Sequence, residues 1–382
     1  MPFAAALSEH PVPALATGEV IGEVLDRVGE APDLAVLFVS AAHTGAVEDV
    51  VTAVRSLLGP RTLLGCTAST VAGPSREVED APAVSLWAAR SCAAAGFRLE
   101  HQRSEDGSGV VGFPASADLP ADPRAVLVLA DPFTFPTDAF LTGLREQTGV
   151  ELPVVGGLAS AARGPGGNRL VLDGSVASSG AVGAVLAEVD VHTVVSQGCR
   201  PIGDPMVVTR GGGQVIAELA GRPTLERVQQ ILEGLGPDDL ALARAGLHLG
   251  RVVDEHKLVY GQGDFLIRNV LGAERGPEGG LVVGDDVEVG ATVQLQVRDA
   301  ASADADLRSL LAPCDADGAL LFTCNGRGTH LFGEPDHDAA AVADVLADPP
   351  LAGMSCAGEV GPVGTRSFLH GFTASMLLFR ES

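Results

Sequence analysis

The chain is poor in aromatic and in basic side chains. Aromatic residues make up 4% of its 382 residues, with one tryptophan and one tyrosine. The predicted core therefore consists mostly of valine, leucine and alanine. The 25 basic residues stand against 49 acidic ones, which gives a formal net charge of −24. Because nucleic acids and anionic membranes are bound through basic patches, we expect neither of them as a partner.

Long apolar runs, targeting segments and paired cysteines are also missing. No stretch reaches the roughly 18 uninterrupted apolar residues that a membrane helix needs. The start of the chain, MPFAAALSEH, has neither the basic segment nor the apolar run of a signal peptide. The six cysteines are scattered and include no CxxC pair, which argues against a structural zinc site. We therefore expect a reduced, cytoplasmic protein.

A pattern of strand, helix and strand occurs three times. In each unit an apolar strand ends at a polar residue, a helix follows, and a second strand breaks at a glycine. These strand-end residues and glycines are Ser40 and Gly65, Asp131 and Gly156, and Cys324 and Gly353. We predict repeated β-α-β-β units and an α+β or α/β fold. Its mixed β-sheets would be flanked by helices in a layered helix-sheet-sheet-helix arrangement.

The stretch from 190 to 312 lacks this pattern. Its short apolar runs, separated by glycines and charged loops, predict an antiparallel sheet with helices beside it. We predict an N-terminal extension with a helix over 1–30, an N-terminal domain over 31–200 and a C-terminal domain over 201–382.

The most informative stretch lies near the end of the chain. A buried strand over 319–323 is followed by Cys-Asn-Gly-Arg-Gly at 324–328, and a second strand over 351–356 breaks at 357–362. Both strand ends carry polar side chains beside glycines. Glycine allows a backbone to approach a ligand closely. We therefore expect these strand ends to form the rim of a pocket.

These motifs resemble the FIST family. Four segments resemble the C-terminal FIST domain: FTCNGRG at 322–328, LAG at 351–353, GEVGP at 358–362 and HGFT at 370–373. The N-terminal FIST domain is resembled by FVSAAH at 38–43, LGCTA at 64–68 and VGG at 155–157. The resemblance covers almost the whole chain. It implies an intracellular signal-transduction module that binds small ligands such as amino acids. Some members of the family are haem proteins that sense nitric oxide and modulate a partner kinase, so the resemblance also leaves haem binding open.

Charge type suggests how a ligand would be held. Arg327 lies between two glycines, and its guanidinium could hold a carboxylate through two hydrogen bonds. Glu359 could complement an ammonium group, so the two would suit an amino acid. Alternatively, Arg327 and Glu359 pair with each other and brace the fold. Asn325 completes the polar set on the first strand end.

Cysteines and histidines leave further possibilities open. Cys324, Cys356 and Cys66 follow apolar strands, where a cysteine is commonly a small buried hydrophobe. They are also candidates for ligand contact, for metal ligation and for nucleophilic catalysis, which would need a base within reach. His43 is a candidate for ligand contact. The candidates for a haem or metal ligand are His43, His248, His330 and His370.

Three functions therefore remain open. The first is a cytoplasmic small-molecule sensor that acts in trans on a signalling partner, with its pocket at strand ends between the two halves. The second is a haem-binding FIST protein, either a nitric-oxide sensor or a haem enzyme. The third is a cysteine- or metal-dependent biosynthetic enzyme. We favour a binding protein over an enzyme, and the sequence identifies neither the ligand nor a cofactor.

Overall fold

A computed structural model describes residues 2–104, 107–148, 151–274 and 279–381. The chain divides into two compact units. The first consists of Met1–Val195, Leu307–Leu369 and Thr373–Ser382, and the second of Ser196–Asp306 and His370–Phe372. Among the described residues, no helix is both long enough and apolar enough to cross a membrane.

Three mixed sheets lie mainly in the first unit. In spatial order, sheet 1 consists of β1 (Phe3–Ser8), β6 (Val84–Ala89), β2 (Leu34–Ser40), β3 (Thr62–Ala68), β11 (Leu170–Leu172) and β12 (Ser175–Ala177). Sheet 2 consists of β25 (Arg366–His370), β24 (Glu359–Val363), β10 (Val154–Leu158), β9 (Pro123–Ala130), β13 (Ala181–Ala187), β7 (Ala93–Ser104) and β8 (Gly107–Val111). Sheet 3 consists of β14 (Asp190–Gln197), β26 (Thr373–Arg380), β22 (Gly318–Cys324), β23 (Leu351–Cys356), β4 (Thr70–Gly73) and β5 (Arg76–Glu79).

Sheet 4 lies mainly in the second unit. Its order is β15 (Cys199–Gly212), β21 (Thr292–Arg298), β18 (Leu247–Val252), β19 (Phe265–Ala273), β20 (Leu281–Val283), β16 (Val215–Leu219) and β17 (Arg222–Pro223). Its strands pair antiparallel, and a further pairing of β15 with β16 closes six of them into a ring. The antiparallel sheet predicted for this stretch is therefore confirmed.

Eight α-helices accompany these sheets in the described residues. They are α1 (Pro13–Val28), α2 (Val47–Leu57), α3 (Thr137–Thr148), α4 (Thr224–Glu233), α5 (Pro237–Ala245), α6 (Ala300–Leu311), α7 (Thr329–Phe332) and α8 (His337–Val345). Two short 3-10 helices span Ala41–Ala46 and Ser116–Asp118. The predicted fold class, mixed sheets flanked by helices, is confirmed.

The predicted repeat is also confirmed. In each of the three repeats, two parallel strands are joined through a helix. These are β2–α2–β3, β9–α3–β10 and β22–α8–β23. A later strand then pairs antiparallel with the first of them: β6, β13 and β26 respectively. One face of each sheet contributes to a shared apolar core that includes Leu64, Leu127 and Leu320. Helices cover the opposite face of each sheet. Three sheets, rather than the two of the predicted layers, therefore share this core.

The repeats exchange hairpins in a cycle. The β4–β5 hairpin follows β3 of the first repeat but pairs with β23 of the third. The β11–β12 hairpin follows β10 of the second repeat but pairs with β3 of the first. The predicted break after β23 is present at 357 and 358, but residues 359–362 belong to β24, which pairs with β10 of the second repeat. The strand β24 was not predicted, because the edge of another repeat supplies the backbone partner that the local sequence could not reveal.

The glycines that mark the second strands allow two backbones to approach each other. Gly65, Gly156 and Gly353 are paired with Leu37, Val128 and Leu321. A Cβ atom on Gly353 would lie 2.2 Å from the carbonyl oxygen of Leu321, and the other two positions are similarly tight. These residues are therefore required by the packing of the parallel pair.

Replacing Gly353 by alanine should destabilise the protein by about 1–3 kcal/mol, because the added methyl group overpacks a rigid backbone. The matched control is Gly22→Ala in α1, where a Cβ would meet no atom within 4 Å. Because alanine favours helix more than glycine does, the control should stabilise by about 0.5–1 kcal/mol. Urea denaturation of both variants measures the difference. Wild-type stability of Gly353→Ala would contradict the argument.

Candidate functional site

The end of β22 is shaped by backbone hydrogen bonds. The amide of Asn325 donates to the carbonyl of Cys356 at 3.0 Å, which extends the contact with the neighbouring strand. The amide of Arg327 donates to the carbonyl of Cys324 at 2.8 Å and closes a tight turn. The chain then enters the short helix α7. Together these bonds direct the Arg327 side chain inward and leave Asn325 exposed.

Arg327 forms a buried ion pair with Asp338 in the first turn of α8. Its Nε donates to Oδ2 of Asp338 at 2.6 Å and its Nη2 donates to Oδ1 at 2.8 Å. Arg327 is 3% exposed and Asp338 is fully buried. Burial alone would raise the pKa of Asp338, but the guanidinium holds it at about 2. Arg327 therefore pairs with Asp338 and not with Glu359, which had been the bracing alternative.

A second buried carboxylate adjoins this pair. Glu77 on β5 accepts a hydrogen bond from the amide of Asp338 at 3.1 Å. Burial raises the pKa of Glu77 to about 8, and the negative charge of Asp338 acts in the same direction. Glu77 is therefore mostly protonated at neutral pH. The cluster of Arg327, Asp338 and Glu77 then carries almost no net charge.

The exchanged β4–β5 hairpin also holds the turn after Arg327. Oε1 of Glu79 accepts hydrogen bonds from the amide and the hydroxyl of Thr329, at 2.9 and 3.0 Å. Gly328 has a φ of +62°, and a Cβ there would lie 2.4 Å from Oε1 of Glu79. Glycine is therefore favoured at 328 by the backbone conformation, and a larger residue would displace the Glu79 carboxylate.

One nitrogen of the Arg327 guanidinium is not engaged by Asp338. Its Nη1 is buried and has no hydrogen-bond partner among the described residues. Buried polar atoms without a partner are rare, because each costs about 1–3 kcal/mol. The half-buried Cys324 is close enough for the two groups to interact electrostatically. The amide of Gly326 points to the Cys324 sulfur, with nitrogen and Sγ 3.5 Å apart.

The three cysteines of the prediction lie close together, Cys66 and Cys356 in the shared core and Cys324 at the end of β22. Cys324 and Cys356 are register partners on β22 and β23, and Sγ of Cys66 lies 3.1 Å from Sδ of Met354. Burial raises the pKa of the Cys66 thiol and of the Cys356 thiol. Both thiols are therefore uncharged at neutral pH, as in small buried hydrophobes. Only Cys324 of these three is partly exposed.

Glu359 is buried on β24 beside this group. Its Oε2 accepts hydrogen bonds from the amide and the hydroxyl of Thr373, at 3.0 and 2.8 Å. Its charge is one of the causes that raise the pKa of Cys356, so the two side chains are near each other. Glu359 is thus connected to Arg327 through Cys356 and Cys324.

The predicted histidines do not converge. His43 is buried and its Nε2 lies 3.2 Å from the carbonyl oxygen of His10. His330 is exposed on α7, whereas His248 and His370 belong to the second unit. Within the described part of the chain, no three His, Cys, Asp or Glu side chains are grouped as they would be around a metal ion. The haem and metal candidates stay predictions that no contact supports.

Comparison of the repeats explains why one strand end differs from the other two. Six residues after the residue that faces the glycine, the three repeats carry His43, Thr134 and Arg327. The Thr134 hydroxyl donates to Asp131 at 2.7 Å and accepts from the amide of Gly180 at 3.0 Å. His43 and Thr134 thus find partners within their own surroundings. Arg327 alone of the three keeps a buried polar atom without one among the described residues.

Sequence reasoning missed the two carboxylates on which Arg327 depends. Asp338 gave a weak signal, since an acidic residue in the first turn of a helix is typical. Glu77 gave none, because its strand belongs to a hairpin that crosses to another repeat. Sequence reasoning also missed a serine cluster, in which the Ser69 hydroxyl lies 3.2 Å from that of Ser160 and 2.9 Å from that of Ser355.

Replacing Asp338 by alanine should lower the free energy of unfolding by about 3–5 kcal/mol, because it leaves a buried guanidinium without its counter-ion. The matched control is Asp344→Ala on the same helix. Asp344 pairs with Arg308 at 2.6 Å, but its side chain is 70% exposed. The control should therefore cost less than about 1 kcal/mol. Equal losses in urea denaturation would contradict the burial argument.

Glu77 should make the protein less stable as the pH rises. Its folded-state pKa is raised from 4.5 to about 8, so the stabilisation is complete below pH 4.5 and is lost as the pH passes through 8. Glu77→Gln cannot ionise. Its gain in melting temperature over wild type should therefore be larger at about pH 8.5 than at about pH 5. A pH-independent difference between the two proteins would contradict the raised pKa.

Comparison with known proteins places the chain in a family. A sequence model of the FIST N domain matches residues 33–222, and one of the FIST C domain matches residues 224–362. An uncharacterized protein of Mycobacterium bovis, Mb0898c, is 46% identical over 374 residues, which cover 94% of each chain. An uncharacterized protein of Mycobacterium tuberculosis, MT0656, is 45% identical over 366 residues, which cover 93% of each chain. The chain belongs to the FIST family, whose N and C domains together account for most of its length.

Proposed function

We propose that this FIST protein is a small-molecule sensor that binds its ligand at the end of β22, through Arg327. The observation that carries the proposal is the buried Nη1 of Arg327, which lacks a partner among the described residues. Asp338 holds the other two nitrogens, so the orientation of Nη1 is fixed before a ligand arrives. A preorganised donor binds more tightly because little side-chain entropy is lost on binding.

The ligand that fits this donor carries a carboxylate. A hydrogen bond from a guanidinium to a carboxylate is stronger than one between neutral groups. The cluster of Arg327, Asp338 and Glu77 is nearly neutral at pH 7, so a simple acid would bring an uncompensated charge into a buried place. A zwitterionic amino acid brings no net charge. Glu359, close to Cys356, is the group we assign to its ammonium.

The remaining predicted residues at this strand end would line the ligand site. Cys324 is half-buried and Asn325 is exposed at the same strand end, so both are accessible to a molecule that reaches Nη1. Cys356 and Cys66 would contribute apolar surface from the core. His43 lies at a different strand end and is left out of the site. We infer that ligand occupancy is passed to a separate signalling protein, as the membership of a sensory family suggests.

A thermal-shift screen tests the ligand class. The twenty amino acids are added singly to the full chain at about 5 mM, and each hit is compared with its C-terminal amide. A ligand that binds only the folded state raises the melting temperature according to its concentration and affinity. We expect at least one amino acid to do so and its amide to fail. No shift with any amino acid would overturn the proposed ligand class.

A double variant tests the position of the site. Arg327→Met alone would leave Asp338 buried and unpaired, so it is combined with Asp338→Leu. Replacing a buried ion pair by apolar residues of similar volume is commonly tolerated. The variant should fold and lose the ligand-induced shift. A shift that persists in the folded double variant would remove Arg327 from the site.

A further inference from the structure

A second group of buried polar atoms lies in the second unit. Polar atoms of three side chains there have no hydrogen-bond partner among the described residues: Nδ1 of His248, Oε1 of Gln197, and both Oε1 and Nε2 of Gln296. His248 is 5% exposed, Gln197 1% and Gln296 0%. An amide buried completely with neither end satisfied is costly, which calls for a specific explanation.

The three side chains surround one place on the sheet. His248 on β18 and Gln296 on β21 are register partners, so their side chains share a face. A Cβ on Gly250 would lie 2.7 Å from Nε2 of Gln296 and 3.0 Å from Cβ of Phe265, which brings those two side chains together. Nε2 of Gln197 donates to the carbonyl of Phe265 at 2.7 Å. Gln197 is therefore anchored at Phe265, the residue that adjoins Gln296.

Phe372 lies next to this group of side chains. The amide of Gly198, next to Gln197, donates to the carbonyl of Phe372 at 2.8 Å. The rings of Phe372 and His248 meet edge to face, with centroids 4.4 Å apart. Phe372 adopts a φ of +68°, a conformation that is costly for a bulky side chain. Strained backbone conformations cluster at functional sites, and this one packs on a histidine whose Nδ1 has no hydrogen-bond partner among the described residues.

The charge nearby argues against a cationic ligand, and the unpartnered polar groups supply no counter-ion. The guanidinium of Arg298 lies over the Phe372 ring, 5.1 Å from its centroid, and disfavours a cation. Burial lowers the pKa of His248 to about 4, and the charge of Arg298 acts in the same direction, so the imidazole is neutral at pH 7. The unpartnered groups themselves are uncharged. A carboxamide or lactam has a donor and an acceptor side by side, which complements the Gln296 amide.

We propose that the second unit binds a small neutral molecule with an amide- or lactam-type edge, through His248, Gln197 and Gln296 beside Phe372. This site is independent of the one at Arg327, and its residues come from a different unit of the chain. The amide-type edge would donate an N–H to Oε1 of Gln296 and accept from its Nε2, and a ligand with a second N–H would also donate to Oε1 of Gln197. His248 would add a neutral nitrogen as a further partner.

Titration calorimetry on the full chain tests the proposal with three neutral probes and one charged analogue. The probes are nicotinamide, uracil and 2-pyrrolidone, and the analogue is nicotinate. We expect at least one neutral probe to bind, and nicotinate to bind at least about tenfold more weakly than nicotinamide where the latter binds. Binding of none of the probes overturns the proposal. Preferential binding of nicotinate overturns the neutral class.

Variants locate the binding. Gln296→Met keeps the volume and removes the unsatisfied amide, so it should fold, melt no lower than wild type and weaken the probe at least about tenfold. The matched control is Gln294→Met on the same strand, whose amide already donates to the carbonyl of Gly203 at 2.5 Å. It should lower the melting temperature and leave probe affinity unchanged. His248→Leu provides a second test if Gln296→Met does not fold. Unchanged affinity in the folded test variant overturns the site.

Discussion

The first unit depends on the cyclic exchange of hairpins among its three repeats. Each parallel pair leaves its second strand, β3, β10 or β23, with one side open, and a hairpin from another repeat covers that side. The backbone groups of all three sheets are satisfied only when all three repeats are present. The same exchange brings Glu77 and Glu79, which belong to the FIST N portion, against Arg327 and Thr329, which belong to the FIST C portion. The cluster around Arg327 is therefore built from both portions.

The exchange also explains how one of three similar strand ends acquires its own set of buried charged side chains. The three strand ends share the tight glycine pairing and the same sequence of elements, so the framework itself does not distinguish them. They differ in the side chains that follow the first strand. His43 and Thr134 bind neighbouring backbone or side-chain groups, whereas Arg327 is fixed by Asp338 and retains a donor. The repetition accounts for the shared packing, and Arg327 is where the third repeat departs from it.

Much of this could be predicted from the sequence, because the signals are local. Apolar runs that end at glycine or polar residues indicated the parallel strands, and their recurrence indicated the repeat. The motif at 322–328 indicated the family and the residues of one strand end. The partner of Arg327 could not be predicted, because Asp338 and Glu77 reach it through a helix and through an exchanged hairpin. The strand β24 was missed for the same reason, since its partner β10 lies some two hundred residues earlier in the sequence.

The hairpin exchange has a consequence for how the family's two domains can be handled. A chain cut between the FIST N and FIST C portions would leave β10 without β24, and β23 without the β4–β5 hairpin. Each cut piece would then present a buried, apolar strand with open amides and carbonyls, which is a template for pairing with another chain. The two portions therefore depend on each other for folding, and a gene divided at the sequence boundary between them would separate strands that pair in the sheets.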